Sequence, residues 1–250
     1  VSGSRTAACS AVCSAAALLA LAGTATARTD DLGSLSADQI AQQSRDALHG
    51  TTSLHVTAKG DLGAPGAPTS FDLTLDRSGN CRGSVSLGPQ GSVEIVKRGA
   101  DVWMKPDAAF WKNEVPGNGS AMASLVGNRY LKGTTNDPVL RATAGVCDLD
   151  AFQKYLDNAA TLPSTGLTKG KPTKVDAISV IPVTTTRQGR TLTVDVSATG
   201  KPYPVRITAG QKGAAPDATV RFDGFDKPVP TATPAAAQTI DISSLLSRSA

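Results

Sequence analysis

The sequence predicts an α+β fold built on one strongly curved antiparallel sheet, and three observations predict it. Between residues 71 and 105, four stretches follow one another at hairpin spacing: Phe71-Asp72-Leu73-Thr74-Leu75-Asp76, Cys81-Arg82-Gly83-Ser84-Val85-Ser86-Leu87, Ser92-Val93-Glu94-Ile95-Val96-Lys97 and Val102-Trp103-Met104-Lys105. Each alternates apolar with polar residues, or nearly so, and a turn signal closes it, as in Ser78-Gly79-Asn80, Gly88-Pro89-Gln90-Gly91 and Gly99-Ala100-Asp101. The same pattern returns from residue 177 to 222 as a second meander. Helical spacing is confined to a few short segments. About ten strands at ~4.8 Å make a sheet ~48 Å wide, and a helix with its side chains covers only ~10–12 Å, so two helices cannot cover the apolar face. The sheet must curl, either until its apolar faces meet in a dry core or part way, leaving a hydrophobic cavity.

Taken in order, residues 28–35 read as a polar linker, and Ser36-Ala37-Asp38-Gln39 has capping-box spacing, so a helix starts there. Ile40, Ala41, Ser44, Ala47 and Leu48 recur at helical spacing, and Gly50 sits where a left-handed helix stop is expected. His49 falls in the last turn, where the helix dipole favours a cation on the surface. Leu54, Val56 and Ala58 alternate on one face of the first strand, which turns His55 to the other, wet face. A Gly/Pro/Ala loop over 60–68 leads into the first meander, whose exit is a bend over 105–112. Three of the chain's ten aromatic residues, Trp103, Phe110 and Trp111, gather there, either as a rim over a ligand or as a plug for one end of a core. A short helix is expected over 119–126 and a strand over 129–132. Asp148 or Asp150 caps a further helix, in which Phe152, Tyr155 and Leu156 share a packing stripe. Strands over 177–186, 190–198, 204–209 and 218–222 are separated by turns at Gln188-Gly189 and Gly200-Lys201-Pro202. A proline-rich extended stretch over 228–234 and a last apolar segment over 239–246 complete the chain.

Residues 1–27 read as an export signal: Arg5 in a basic start, an apolar run, and Ala25-Thr26-Ala27 as a small-residue cleavage site. The apolar run is about 16 residues, short of the ~20 a spanning helix needs. Leu21-Ala22-Gly23-Thr24 has the form of the bacterial lipoprotein signal box, but Thr24 replaces the cysteine through which lipid is attached, so no anchor is expected at that position. A secreted, extracytoplasmic location in the cell envelope is the expectation. The remaining residues, 36–250 after the linker, are expected to form one domain with a substantial core. Cys9 and Cys13 leave with the signal, and Cys81 and Cys147 remain as an even pair in an oxidising compartment, where a disulfide is favoured. The net charge of +4 comes from basic residues interleaved with acids and hydroxyls, which leaves no nucleic-acid footprint.

Catalytic signatures are missing. There is no Gly-x-Ser-x-Gly elbow, no Ser-x-x-Lys pair and no His-Glu-x-x-His helix, and only two histidines are present. Gly166-Leu167-Thr168-Lys169-Gly170-Lys171 resembles a phosphate loop faintly, but the spacing is one residue short and Pro172 stands where a hydroxyl residue is required. Asp148 and Asp150 lack the glycine and terminal Glu of a calcium loop, and no cysteine or histidine spacing suits a metal. The expectation is a protein that is not an enzyme and carries no cofactor and no metal.

With the first helix, the meander, and the stretches Asn80-Cys81-Arg82-Gly83, Val102-Trp103-Met104-Lys105-Pro106 and Phe110-Trp111-Lys112 laid together, the chain resembles a family of exported actinobacterial lipoproteins of the mycobacterial LppX and LprG type. The resemblance spans about residues 36–246 and rests mainly on the order and spacing of elements. It implies a fold similar to the periplasmic lipoprotein carriers, a half-barrel with helices on its concave face, and a lipid or other hydrophobic ligand in the cavity. Facing of the strands nominates the lining: Leu73, Leu75, Val85, Leu87, Val93 and Ile95 from the first meander, and Leu192, Val194, Val205 and Ile207 from the second. Two readings follow. The first is a carrier or binder of an acyl-chain ligand, working with a membrane surface or envelope proteins. The second is a structural or sensor module of the cell envelope whose core is filled. Cavity volume separates them.

Overall fold

The structure, a computed structural model, describes residues 32–62, 67–159 and 166–242. The expected export signal, the lipoprotein-like box and residues 28–31 of the linker lie outside them, as do residues 243–246 of the last apolar segment. After a 3-10 turn at Leu32–Ser34, the elements run α1 (Ala37–His49), β1 (Ser53–Gly60), β2 (Ser70–Asp76), β3 (Cys81–Ser86), β4 (Ser92–Arg98), β5 (Asp101–Pro106), α2 (Ala108–Glu114), α3 (Gly119–Val126) and β6 (Tyr130–Thr134). They continue as α4 (Pro138–Gly145), α5 (Leu149–Ala159), β7 (Thr168–Lys169), β8 (Thr173–Val175), β9 (Ile178–Arg187), β10 (Arg190–Ser197), β11 (Pro204–Gln211), β12 (Ala218–Asp223) and β13 (Thr239–Asp241).

All the strands belong to one open sheet, in the order β13-β6-β5-β4-β3-β2-β1-β12-β11-β10-β9-β7, with β8 also on β9. Neighbours are antiparallel except β13, which lies parallel to β6. The two meanders are joined through β1, which pairs with β2 on one side and β12 on the other. Turn chemistry sets the register: Gln188 and Gly189 both have positive φ (49° and 77°), as a two-residue hairpin loop between β9 and β10 requires. In consequence one apolar row crosses the sheet in register, Pro106, Val93, Val85, Phe71, Ala58, Val220, Ile207, Val194 and Val183. The curl brings its ends round a common core. Close backbone approach at two glycines permits it: a Cβ on Gly60 would lie 2.0 Å from the Asp217 carbonyl oxygen, and one on Gly83 would lie 1.9 Å from that of Asp72.

The helices lie against the inward face. Helix α1 carries the expected capping box, with Gln39 N–H donating to Ser36 Oγ (3.2 Å) and Ser36 N–H to Gln39 Oε1 (2.9 Å). Its buried stripe Ala37, Ile40, Ala41, Ser44 and Leu48 covers the second meander. Gly50 is not the left-handed stop expected: its φ is −76°, because its N–H bonds back to Asp46 and Leu48 and continues the helical geometry. Five α-helices rather than two or three face the sheet among the described residues. The expected bend after residue 105 is α2, capped by Asp107 from Phe110 N–H (2.8 Å). A helix not expected at all, α4, has Pro138 in its first turn, where no backbone donor is lost. Asp148, not Asp150, caps α5, accepting from Ala151 N–H at 2.9 Å.

The proline-rich stretch crosses the outer face. Arg98 Nε and Arg82 Nη1 donate to the carbonyls of Thr231 and Ala232 (3.3 and 3.2 Å), and Val96 and Trp103, which point outward, are nevertheless buried. This segment thus carries the chain from β12, in mid-sheet, to β13 at the far edge. No described helix is long and apolar enough to cross a membrane.

Candidate functional site

Helix α5 does not sit flush on the sheet. Between its inner stripe, Phe152, Tyr155 and Leu156, and the inward face below lies a cavity of about 550 Å³. Its floor is Phe71, Leu73 and Val85 from the first meander and Leu192, Ile207, Ala209, Ala218 and Val220 from the second. The two alanines and two valines are small for positions under a helix, and that shortage of side-chain volume helps to open the space. Phe152 meets the floor edge-on at Phe71, with ring centroids 6.2 Å apart.

The roof is held from its ends. The Cys81–Cys147 disulfide, whose Cα atoms are 5.5 Å apart, fixes the turn before α5 to the start of β3. Arg77, in the β2–β3 turn, donates to the carbonyls of Thr51 and His49 and to Gln153 Oε1, and pairs with Asp150. Gln153 is fully buried and donates to the Leu48 carbonyl at 2.7 Å, so its amide satisfies the end of α1 instead of filling the cavity. His49 reaches Asp157 at 2.9 Å, and the Tyr155 hydroxyl donates to the Leu62 carbonyl at 3.0 Å. These contacts set the height of α5 over the sheet.

The rim combines exposed apolar groups with one closed ion pair. Val146 and Tyr155 are 37 % and 50 % exposed, and Arg190 at the edge is held by both oxygens of Asp217 (2.8 and 3.0 Å). A larger groove of about 690 Å³ has a mixed lining, with Lys59, Asp72, Asp217 and Arg221 beside Phe71, Val85 and Pro216, and so is more polar than the space under α5. Above it, His55 bridges Asp72 (Nε2, 2.9 Å) and Asp223 (Nδ1, 3.0 Å) across three strands. Burial pulls the His55 pKa down, but bonds to Asp72 and Asp223 outweigh it and raise it.

Of the residues nominated from sequence, Leu73, Val85, Leu192 and Ile207 line the cavity. Leu75, Val93, Ile95 and Val194 share the inward face but are packed into the solid core, and Leu87 is partly buried against it. Val205 lies elsewhere, in a small cluster with Val175 and Val180. The reason is a bulge: Asp195 faces Arg206 and Val196 faces Pro204, so Val205 is the extra residue and the alternation changes phase there. Strand alternation alone did not single out Phe71, Ala209, Ala218 and Val220, and the α5 stripe, read as a packing face, forms the roof. Trp103 and Trp111 do not form a rim: Trp111 is core and Trp103 lies on the outer face.

No protein-family model and no curated protein matches the chain. Among solved structures it is similar to LprF from Mycobacterium bovis, with a TM-score of 0.51 at 16 % identity, over 80 % of this chain and 97 % of that one. It also matches the lipoprotein LppX of Mycobacterium tuberculosis, with a TM-score of 0.46 at 17 % identity, over 78 % and 98 %. The LprF likeness establishes the fold and nothing finer; the LppX score is too low to add to it. The α+β half-barrel expected from the sequence resemblance is the fold found.

Proposed function

We propose that this chain is an exported, non-catalytic protein of the cell envelope that binds or carries a hydrophobic, acyl-chain ligand between α5 and the inward face of the half-barrel. The observation that carries the reading is the apolar cavity of about 550 Å³, within the ~300–1,000 Å³ typical of small-molecule sites. The space is open at its rim, so its apolar lining would otherwise face water, an exposure that an apolar occupant removes. Such a space is supported by occupancy, and it weighs against the filled-core envelope module. The apolar rim at Val146 and Tyr155 supports loading from a membrane surface or from an envelope protein. Export is supported by the sequence of residues 1–27 and by the Cys81–Cys147 disulfide.

Mass spectrometry of organic extracts of the purified secreted protein tests the reading. Acyl-chain species in near-stoichiometric amount are expected. An empty extract, together with no binding of the neutral apolar dye N-phenyl-1-naphthylamine, refutes it.

A further inference from the structure

The turn between α4 and α5 separates two cavities. One is the apolar space under α5; the other, about 490 Å³, is polar, and both are bordered by Gly145 and Asp148. Lys97 opens into the polar one. On β4 the inward residues Val93 and Ile95 are apolar and buried, and Lys97 is the next inward position, opposite Cys81. A charge at the end of an inward apolar row is costly unless something compensates it. Its ammonium donates to the Gly79 carbonyl at 2.7 Å and makes no salt bridge among the described residues. Burial lowers its pKa, against the opposing pull of Asp148 and Asp76.

Of the carboxylates around it only Asp150 is in an ion pair; Asp76 and Asp148 accept hydrogen bonds and attract Lys97 through space. Asp76 accepts from the backbone and side-chain nitrogens of Asn80, Asp148 caps α5, and Asp150 pairs with Arg77. Arg141, from α4, borders the same cleft and donates to the Asn136 carbonyl at 3.2 Å, which uses one of its five N–H groups. Lys97 and Arg141 therefore retain donors that no hydrogen bond among the described residues takes up. We infer that this cleft receives the anionic head of an amphiphile, a phosphate or carboxylate, whose acyl chain lies in the adjoining apolar cavity. The inference rests on the carrier reading and names the ligand class: a chain with a negatively charged end, its charge set against Lys97 and Arg141.

The test is displacement of N-phenyl-1-naphthylamine, a neutral dye, by hexadecanol, hexadecyl phosphate and palmitate, which share a chain and differ in the head. A charge-assisted hydrogen bond contributes ~1.5–3 kcal/mol, so the wild type should take at least one of the two anions about tenfold or more tightly than the alcohol. The anion preferred identifies the head. Lys97→Met and, separately, Arg141→Gln, at an exposed position, should each reduce that preference several-fold and leave hexadecanol affinity unchanged. Equal affinity for alcohol and anions in the wild type, or a preference that survives both substitutions, overturns the head-group assignment and leaves the carrier reading standing. Failure of all three to displace the dye, or of the dye to bind, overturns both.

Discussion

Replacing Val220 by tryptophan separates a cavity from a core. Val220 lies on β12 in the floor beneath α5, opposite Ile207 on one side and Ala58 on the other. In close-packed surroundings such an insertion costs ~1–3 kcal/mol, which for a domain of this size lowers Tm by about 2–12 °C. Over a cavity of about 550 Å³ the ring has space to occupy, so the melting temperature of delipidated Val220→Trp should stay within a few degrees of wild type. Ligand response is the second arm. A ligand at 100 times its Kd stabilises the wild type by ~2.7 kcal/mol, an upward shift of about 5–11 °C, and the variant should lose most of it. Val93→Trp is the internal control, because Val93 is buried between Val85 and Pro106 in the solid part of the core and should melt early. Thermal scans of delipidated protein with and without hexadecanol provide the measurement. If Val220→Trp falls as far as Val93→Trp, and the wild type gains nothing from hexadecanol, the space under α5 is not a binding cavity.

Three further outcomes follow from the same contacts. Cys81 and Cys147 are fully buried and close a 66-residue separation, so the unreduced protein lacking residues 1–27, unfolded in denaturant, should show no reactive thiol, and Cys147→Ser should lose up to ~4 kcal/mol on the chain-entropy scale. Arg77→Met removes the donors that close the end of α1 and hold α5, and a loss of ~1.5–3 kcal/mol is expected in denaturant titration; an unchanged midpoint would show that Gln153 suffices. His55 has a folded pKa raised above ~6.5, so its bridge between Asp72 and Asp223 contributes fully below about pH 6.5 and is lost as pH rises through the raised value. The contribution is partly solvent-exposed and should be at most ~1 kcal/mol; it is read as the Tm difference between wild type and His55→Gln, large at pH 5.5 and vanishing by pH 9.

What the sequence alone determined is what depends on neighbours along the chain. The period-two alternation from Phe71 to Met104 and from Ile178 to Phe222, the capping box at Ser36 and Gln39, and the hairpin signal at Gln188-Gly189 are local, and each reappears in the structure where it was read. The facing of Leu73, Val85, Leu192 and Ile207 follows from the same alternation, which made part of the cavity floor legible. Only the tertiary structure decided the rest. Helices α2 and α4 are short and begin at Asp107 and Asp137-Pro138, signals that also begin turns, and packing against β4 to β6 makes them helices. A bulge opposite Asp195 and Val196 moved Val205 out of phase, and no residue pattern announces that. The cavity itself is a difference between two heights: the reach of the Phe152 and Leu156 side chains below α5, and the height at which Arg77, Gln153, Tyr155 and the disulfide hold that helix over Ala209 and Ala218. Both heights are set by contacts between residues far apart in the chain, so no local pattern could state their difference.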